Sequence, residues 1–243
     1  GHRKKSRKMS KNGSKTRKTP RQGAPKGRIF HPKILVHVEF HVEQARGAAS
    51  SHDGLDAHFS GILSVANAPA EVLEAEQPLK LTQYSFLEDS EGAGQFRGGL
   101  GLVREWETLT DDTVLQVRSD RAKHGPYGLN GGHSGKLAEV AINPGAPDER
   151  LMPSKFLTNL KQGDRLRIAW SGAGGWGNPL DRDPELVLTE VIEEKIGPQR
   201  AREIYGVVLN LAQRQVDHNA TAQLRQSIRQ ENATGLQRQR TKA

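Results

Sequence analysis

The stretch RSDRAKHGPYGLNGGHSG, residues 118–135, sets Arg118, Arg121, Lys123 and His124 beside a glycine-rich turn. A guanidinium donates two parallel hydrogen bonds from a planar fork, a geometry that suits a carboxylate or phosphate. Arg118 and Arg121 are therefore the candidate contacts for an anionic substrate group; the competing reading pairs them with local acids. A second stretch, SGAGGWGNPLDRDP, residues 171–184, crowds glycines around Trp176. A phosphate loop of the Walker type ends in Lys and Ser/Thr, whereas Asn178 and Pro179 stand at that place. A dinucleotide fingerprint runs straight into a helix, whereas Pro179, Leu180, Asp181 and Arg182 intervene here, and a carboxylate near a phosphate repels it. The glycines read instead as a tight backbone crossing or as a backbone wall beside a small substrate. On the second reading Gly172, Gly174, Gly175 and Trp176 are candidate substrate-binding residues.

Two further groups are weaker. His37, Glu39 and His41 alternate along ILVHVEFHVE, residues 34–43, and His52, Asp53, Asp56 and His58 follow. Alternate strand positions can place two imidazoles and a carboxylate around zinc or manganese. A solvent-facing polar strand is the favoured alternative, and no metal ligand is assigned. Glu71, Glu74 and Glu76 have the residue type for acid–base work but read as exposed helix glutamates. No arrangement of Ser, His and Asp marks a triad, so no catalytic residue is assigned.

The elements that must position these residues follow from periodicity. Apolar and polar residues alternate over 34–43 with Val36, Val38, Phe40 and Val42 on one face, which predicts a half-buried strand. A short helix is expected from Ala70 to Glu76, ended by Pro78. Further strands are expected at 79–87, 100–109, 113–119, 137–142 and 165–170, separated by Gly, Pro, Asn and Asp. Short strands at such spacing predict an antiparallel β unit. The chain changes character at Asp183, a helix cap followed by Pro184 at the first helical position. Leu188, Val191, Ile192 and Ile196 then fall on one helical face. A second helix is expected from Pro198 to Tyr205, and a third from Asp217 that buries Thr221, Leu224 and Ile228. The fold class expected is α+β: a mainly antiparallel β body, residues 34–182, and a helical C-terminal extension, residues 183–230, with a frayed tail over 231–243.

Composition bounds the rest. The net charge is +8, yet residues 1–28 hold twelve Lys/Arg and no Asp/Glu, leaving the remainder near −4. That leader has Met9 as its one apolar residue larger than alanine, so residues 1–33 are expected to be a disordered basic leader. Its charge can hold nucleic-acid phosphates. It lacks an aromatic residue to stack on bases, and a solvated extension is the favoured reading. No run of about 18 apolar residues occurs, which argues against a membrane span. No secretory signal pattern opens the chain. The absence of cysteine excludes disulfides and thiolate chemistry and fits a cytoplasmic location.

Four stretches taken in order, ANAPAEVLEAEQPL, DSEGAGQFRGGLGLVREW, RSDRAKHGPYGLNGG and GDRLRIAWSGAGGWGNPLDRDPELV, with the later YGVVL and the Asp217, Thr221, Leu224 and Arg225 tail, resemble the C-terminal part of hydantoinase B. Hydantoinase B is one member of the hydantoinase B/oxoprolinase family, with 5-oxoprolinase and the large subunits of acetone-type carboxylases. The resemblance covers roughly residues 50–229; residues 1–45 show none. Two departures stand out: Ala173 interrupts the family's glycine quartet, and Asn178 replaces its acid.

Family members are much longer, and their N-terminal half carries an Asn-Asp-Pro segment and a His/Asp set tied to a divalent metal in the carboxylases. This sequence has no Asn-Asp-Pro, so no metal ligand carries over. The resemblance therefore implies a C-terminal portion of a hydantoinase B-like subunit, from a truncated gene or a split subunit, inactive alone. It implies a hydantoinase A-like partner that binds ATP and Mg, phosphorylation of a small cyclic amide there, and opening or carboxylation of the intermediate on this side. In that scheme Arg118 and Arg121 contact the anion and the glycine stretch lines the cavity. The alternatives are a subunit of an acetone-type carboxylase, or a non-catalytic remnant or scaffold with a basic arm on nucleic acid.

Overall fold

The computed structural model describes residues 35–36, 45–58, 69–111 and 113–240. Its β body contains two sheets. The larger is assembled from β2 (Leu79–Phe86), β3 (Leu102–Thr108), β8 (Arg165–Ala169), β5 (Glu139–Ile142) and β6 (Arg150–Leu151), in that spatial order and antiparallel throughout. The smaller contains β1 (Leu35–Val36), β4 (Thr113–Arg118) and β7 (Lys155–Leu160), with β4 central, antiparallel to β7 and parallel to β1. The rest of the alternating stretch that begins with β1, including His37, Glu39 and His41, lies outside the described residues. So does the basic leader, residues 1–33.

Alternation does the work in these strands. Leu115 and Val117 of β4 and Leu160 of β7 turn inward to meet Leu102, Val140, Ile142, Leu166 and Ile168 of the larger sheet, with Trp170 just beyond β8. In β2 the register slips between Leu81 and Gln83, a bulge that leaves Thr82 to donate its hydroxyl to the Glu105 carbonyl at 3.1 Å. Helix α1 (Ala70–Glu76) lays Leu73 against Leu79, Leu81 and Trp106. Strand β7 was not among the expected strands: its inward residues are Phe156, Thr158 and Leu160, and Leu157 on the other face is 67% exposed, which blurs the period of two.

After Trp170 the chain enters the glycine stretch and then the helices. A 3-10 turn (Pro179–Asp181) leads to α2 (Pro184–Ile192), α3 (Pro198–Glu203), a two-stranded hairpin of β9 (Leu209–Asn210) and β10 (Gln215–Val216), and α4 (His218–Arg240). Asp183 caps α2 as expected, accepting from the Glu185 N–H at 3.0 Å. Helix α2 ends at Ile192, earlier than its apolar period suggests, because Glu194 takes a left-handed φ of 57°; Ile196 is still buried. Val187, Val191, Ile196, Ala201, Tyr205 and Val207 close a second core against Ala93 of the β body. Helix α4 buries Thr221, half-buries Leu224 and Ile228, and continues to Arg240, past the position where a frayed tail was expected. The fold is thus α+β, an antiparallel body followed by helices. Among the described residues no helix is long and apolar enough to cross a membrane.

Candidate functional site

Three glycine-rich segments meet where the sheets give way to the helices: residues 90–101, 121–138 and 171–177. They are held together by backbone hydrogen bonds outside the regular ladders. Gly92 N–H donates to the Ala173 carbonyl (2.7 Å), and Phe96 and Trp176 exchange both their bonds (3.0 and 2.8 Å). Leu129 N–H donates to the Gly175 carbonyl (2.9 Å), Gly175 N–H to the His133 carbonyl (3.0 Å), and His133 N–H to the Ala93 carbonyl (2.7 Å). These distances leave no room for side chains. A Cβ on Gly172 would stand 1.7 Å from the Ser90 carbonyl oxygen, one on Gly174 1.9 Å from that of Tyr127, and one on Gly175 2.4 Å from those of Gly92 and Ala93. Close backbone approach is therefore what these three glycines provide. Of the two readings offered by the sequence, the tight crossing is the one the geometry displays.

The two departures from the family pattern are accommodated. Ala173 is buried, with its N–H on the Gly99 carbonyl at 3.0 Å. Asn178 caps the 3-10 turn, its Oδ1 accepting from the Leu180 N–H at 2.9 Å, a bond that an aspartate could accept equally well.

The glycine core brings two of the sequence candidates together. Trp176, half-buried, bridges to Phe96 on one side and Leu129 on the other, so the 171–177 segment lies against the 121–138 loop. Residues 121–138 contain no Asp or Glu, though Asp120 directly precedes them, and Arg121, Lys123, His124, Tyr127 and Leu129 are not buried. Arg121 holds a left-handed backbone with φ of 60°, and its carbonyl accepts from the Ala138 N–H at 3.1 Å. A non-glycine side chain in that region carries strain on the order of 1 kcal/mol. Arg118 ends β4, exposed, opposite Lys155. Glu71, Glu74 and Glu76 are exposed on α1, and Glu74 Oε1 accepts from the Leu81 N–H at 2.8 Å.

Beneath the core lies an ionic cluster that sequence reasoning did not assemble. Arg97 binds Asp56 with both terminal nitrogens (2.7 and 3.1 Å) and Glu190 through Nε. Arg182 binds Asp53 in the same bidentate way (2.7 Å each) and also reaches Glu190 (2.7 and 3.2 Å). Lys195 adds a charge 3.6 Å from Asp56. Arg97, Arg182 and Glu190 are each less than a tenth exposed, and pairing offsets the cost of burying them. Burial works against ionising Asp53 and Asp56, yet the hydrogen bonds and charge of Arg182 and Arg97 outweigh it and hold both carboxyls below their usual range.

Asp53 and Asp56 are thereby engaged by guanidinium groups, and the His52 ring bonds to the Asp53 carbonyl at 2.8 Å. They do not fit a metal site, and among the described residues no group of three His, Asp or Glu side chains is placed to hold one. Arg97 and Arg182 carried no distinguishing signal in the sequence, since Asp53 and Arg182 are 129 residues apart.

The chain matches the hydantoinase B/oxoprolinase family over residues 15–179. The match begins inside the stretch that the motifs had left outside the resemblance, and it stops before α2 and the helices that follow it. A putative D-/L-hydantoinase of Pseudomonas sp. strain NS671 has a B-type chain that is 30% identical over 186 residues, covering 76% of this chain and 31% of that protein. The solved structure of an ATP-dependent caprolactamase from Pseudomonas jessenii aligns with a TM-score of 0.61 at 27% identity, over 75% of this chain and 32% of that one. A nucleotide-free acetone carboxylase structure aligns with a TM-score of 0.68 at 22% identity, over 79% and 30%, a likeness of fold. The chain spans about three tenths of the length of these proteins. With most of its length matched to the family pattern, the glycine segments included, the chain belongs to the hydantoinase B/oxoprolinase family.

Proposed function

We propose that this chain forms the C-terminal portion of an ATP-dependent hydantoinase/5-oxoprolinase-type subunit that opens small cyclic amides, working with a hydantoinase A-like ATP-binding partner and inactive alone. The observation that carries the reading is the placement of Arg121. It stands on left-handed backbone in a loop packed against the glycine core, and its side chain is exposed and open to an anion. The names of the relatives, a D-/L-hydantoinase, a 5-oxoprolinase and a caprolactamase, support the substrate class.

The chemistry follows from amide resonance, which makes a ring carbonyl a poor electrophile. Phosphorylation of the carbonyl oxygen on the ATP-binding partner, with ATP and Mg there, activates the carbon. Water adds to that carbon and the ring nitrogen leaves with a proton, giving an acyl phosphate that a second water converts to carboxylate and phosphate. The groups this chain contributes are anion contacts. Arg118 and Arg121 hold the phosphoryl or carboxylate oxygens, Gly172, Gly174 and Gly175 form the unyielding floor under the loop, and Trp176 packs beside the ring. A second reading, a subunit of an ATP-dependent carboxylase, is supported by 27% identity to the acetophenone carboxylase delta subunit of Aromatoleum aromaticum over 75% of this chain.

The test is reconstitution. The chain is purified with and without the ATP-binding partner, and ATP-dependent opening of hydantoin and 5-oxoproline is measured against ATP-dependent incorporation of bicarbonate into a ketone such as acetophenone. Turnover of the cyclic amide only with the partner is expected; turnover by the chain alone defeats the need for one, and bicarbonate incorporation selects the carboxylase. Arg121→Gln is expected to lower kcat/KM roughly 10- to 100-fold, the scale of one charged hydrogen bond. Thermal stability should hardly move, because the side chain is exposed.

A further inference from the structure

Glu91 opens the first glycine segment and points into the junction with the helices. It is wholly buried, at 0% exposure. Its two oxygens are treated unequally. Oε1 accepts from Arg200 Nε at 2.7 Å and from the Tyr205 hydroxyl at 3.1 Å, while Arg200 Nη2 donates to the Glu91 carbonyl at 2.8 Å. Oε2 is buried with no hydrogen-bond partner among the described residues. An ionised carboxylate spreads its charge over both oxygens, so the lone oxygen bears the full cost of lost hydration. A proton on Oε2 removes that charge and leaves Oε1 to accept both bonds.

We propose that Glu91 is a proton-operated fastener between the glycine core and the helices: neutral, it holds α3 against the core, and ionised, it loosens that contact. Arg200 does not depend on Glu91 for its charge. It is about one-fifth exposed and has Asp89 Oδ1 at 3.9 Å as a second counterion. The other charged groups facing the junction are His133 of the 121–138 loop, which burial and Arg200 disfavour as a cation, and Arg182 and Glu190, which act on Tyr205. Burial pushes the Glu91 carboxyl above its usual value, and the Arg200 charge together with the hydrogen bonds from Arg200, the Glu91 N–H and Tyr205 only partly offsets it. The sign follows from this direction. Stability from Glu91 is complete below the unfolded value near 4.5 and is lost as pH rises through the higher folded value. This device is independent of which reaction the chain serves.

Hydrogen exchange in residues 198–207 reads it directly, because the Ala201, Ile204 and Val207 amides bond within or next to that stretch. Across pH 4 to 8, after correction for intrinsic exchange, protection in the full chain is expected to fall by about tenfold for each pH unit that separates the folded from the unfolded pKa. Glu91→Gln, which keeps an acceptor for Arg200 and Tyr205, is expected to remove the pH dependence, and His133→Asn to keep it. Protection that ignores pH in the unmodified chain, or that falls identically in Glu91→Gln, overturns the proposal. Should the Gln variant fail to fold, NMR titration of the Glu91 side-chain carboxyl carbon in the unmodified chain decides. A midpoint at or below the ordinary glutamate value overturns the fastener.

Discussion

The sheet core and the glycine core of this protein are built on opposite principles. Between the sheets, Leu102, Leu115, Ile142, Leu160 and Ile168 fill space with side chains, and the backbones stay apart. In the glycine core the backbones themselves touch, and the removal of side chains is the packing device. The first kind of core adjusts to lost volume by partial collapse. The second has nothing to collapse and nowhere to put an added atom. A family signature rich in glycine is therefore a statement about backbone distance, and one of the segments it fixes carries Arg121, a candidate anion contact.

The contrast can be broken by substitution. Gly174→Ala is expected to have the largest effect, above about 4 kcal/mol, because its Cβ would stand 1.9 Å from the Tyr127 carbonyl oxygen. Soluble expression and the urea midpoint check it, and a variant of unchanged midpoint would show that the segments can separate freely. Arg97→Gln should follow at about 3 kcal/mol, since it leaves the buried Glu190 and the half-buried Asp56 with fewer counterions. Its loss should also free residues 45–58 to proteolysis, as Asp56 and Asp53 lie on that segment.

Smaller changes sharpen the comparison. Ile142→Val, in the fully buried middle of the sheet core, is expected to cost about 0.5–1.5 kcal/mol in chemical denaturation. Gly163→Ala isolates the other use of glycine. Nothing lies within 4 Å of the added Cβ, but φ is 86°, so the expected cost is only about 1 kcal/mol, all of it backbone strain. If Gly163→Ala proved as damaging as Gly174→Ala, contact distance would not be the reason for the glycines in the core.

Much of the local structure was legible. The period of two located β2, β3, β4, β5 and β8 to within two residues, and the cap at Asp183 and the proline at position 198 located the starts of α2 and α3. The glycine stretch at 171–177 could be set aside as a phosphate loop on chemistry alone, from its missing lysine and hydroxyl. The partners of buried charge were not legible. Asp53 and Asp56 looked like free carboxylates available to a metal, because a charge in a sequence carries no mark of burial.

What the sequence determined by itself is everything written in short-range order: strand and helix periods, caps, the charge of the leader and the acid-free character of residues 121–138. Only the tertiary structure decided which backbones the glycines admit to one another and which carboxylates neutralise Arg97 and Arg182. Only it left one oxygen of Glu91 in the interior without a donor among the described residues. The physical reason is range. Periodicity and capping act over a few residues, whereas desolvation and close packing depend on segments that the chain brings together from scores of residues away.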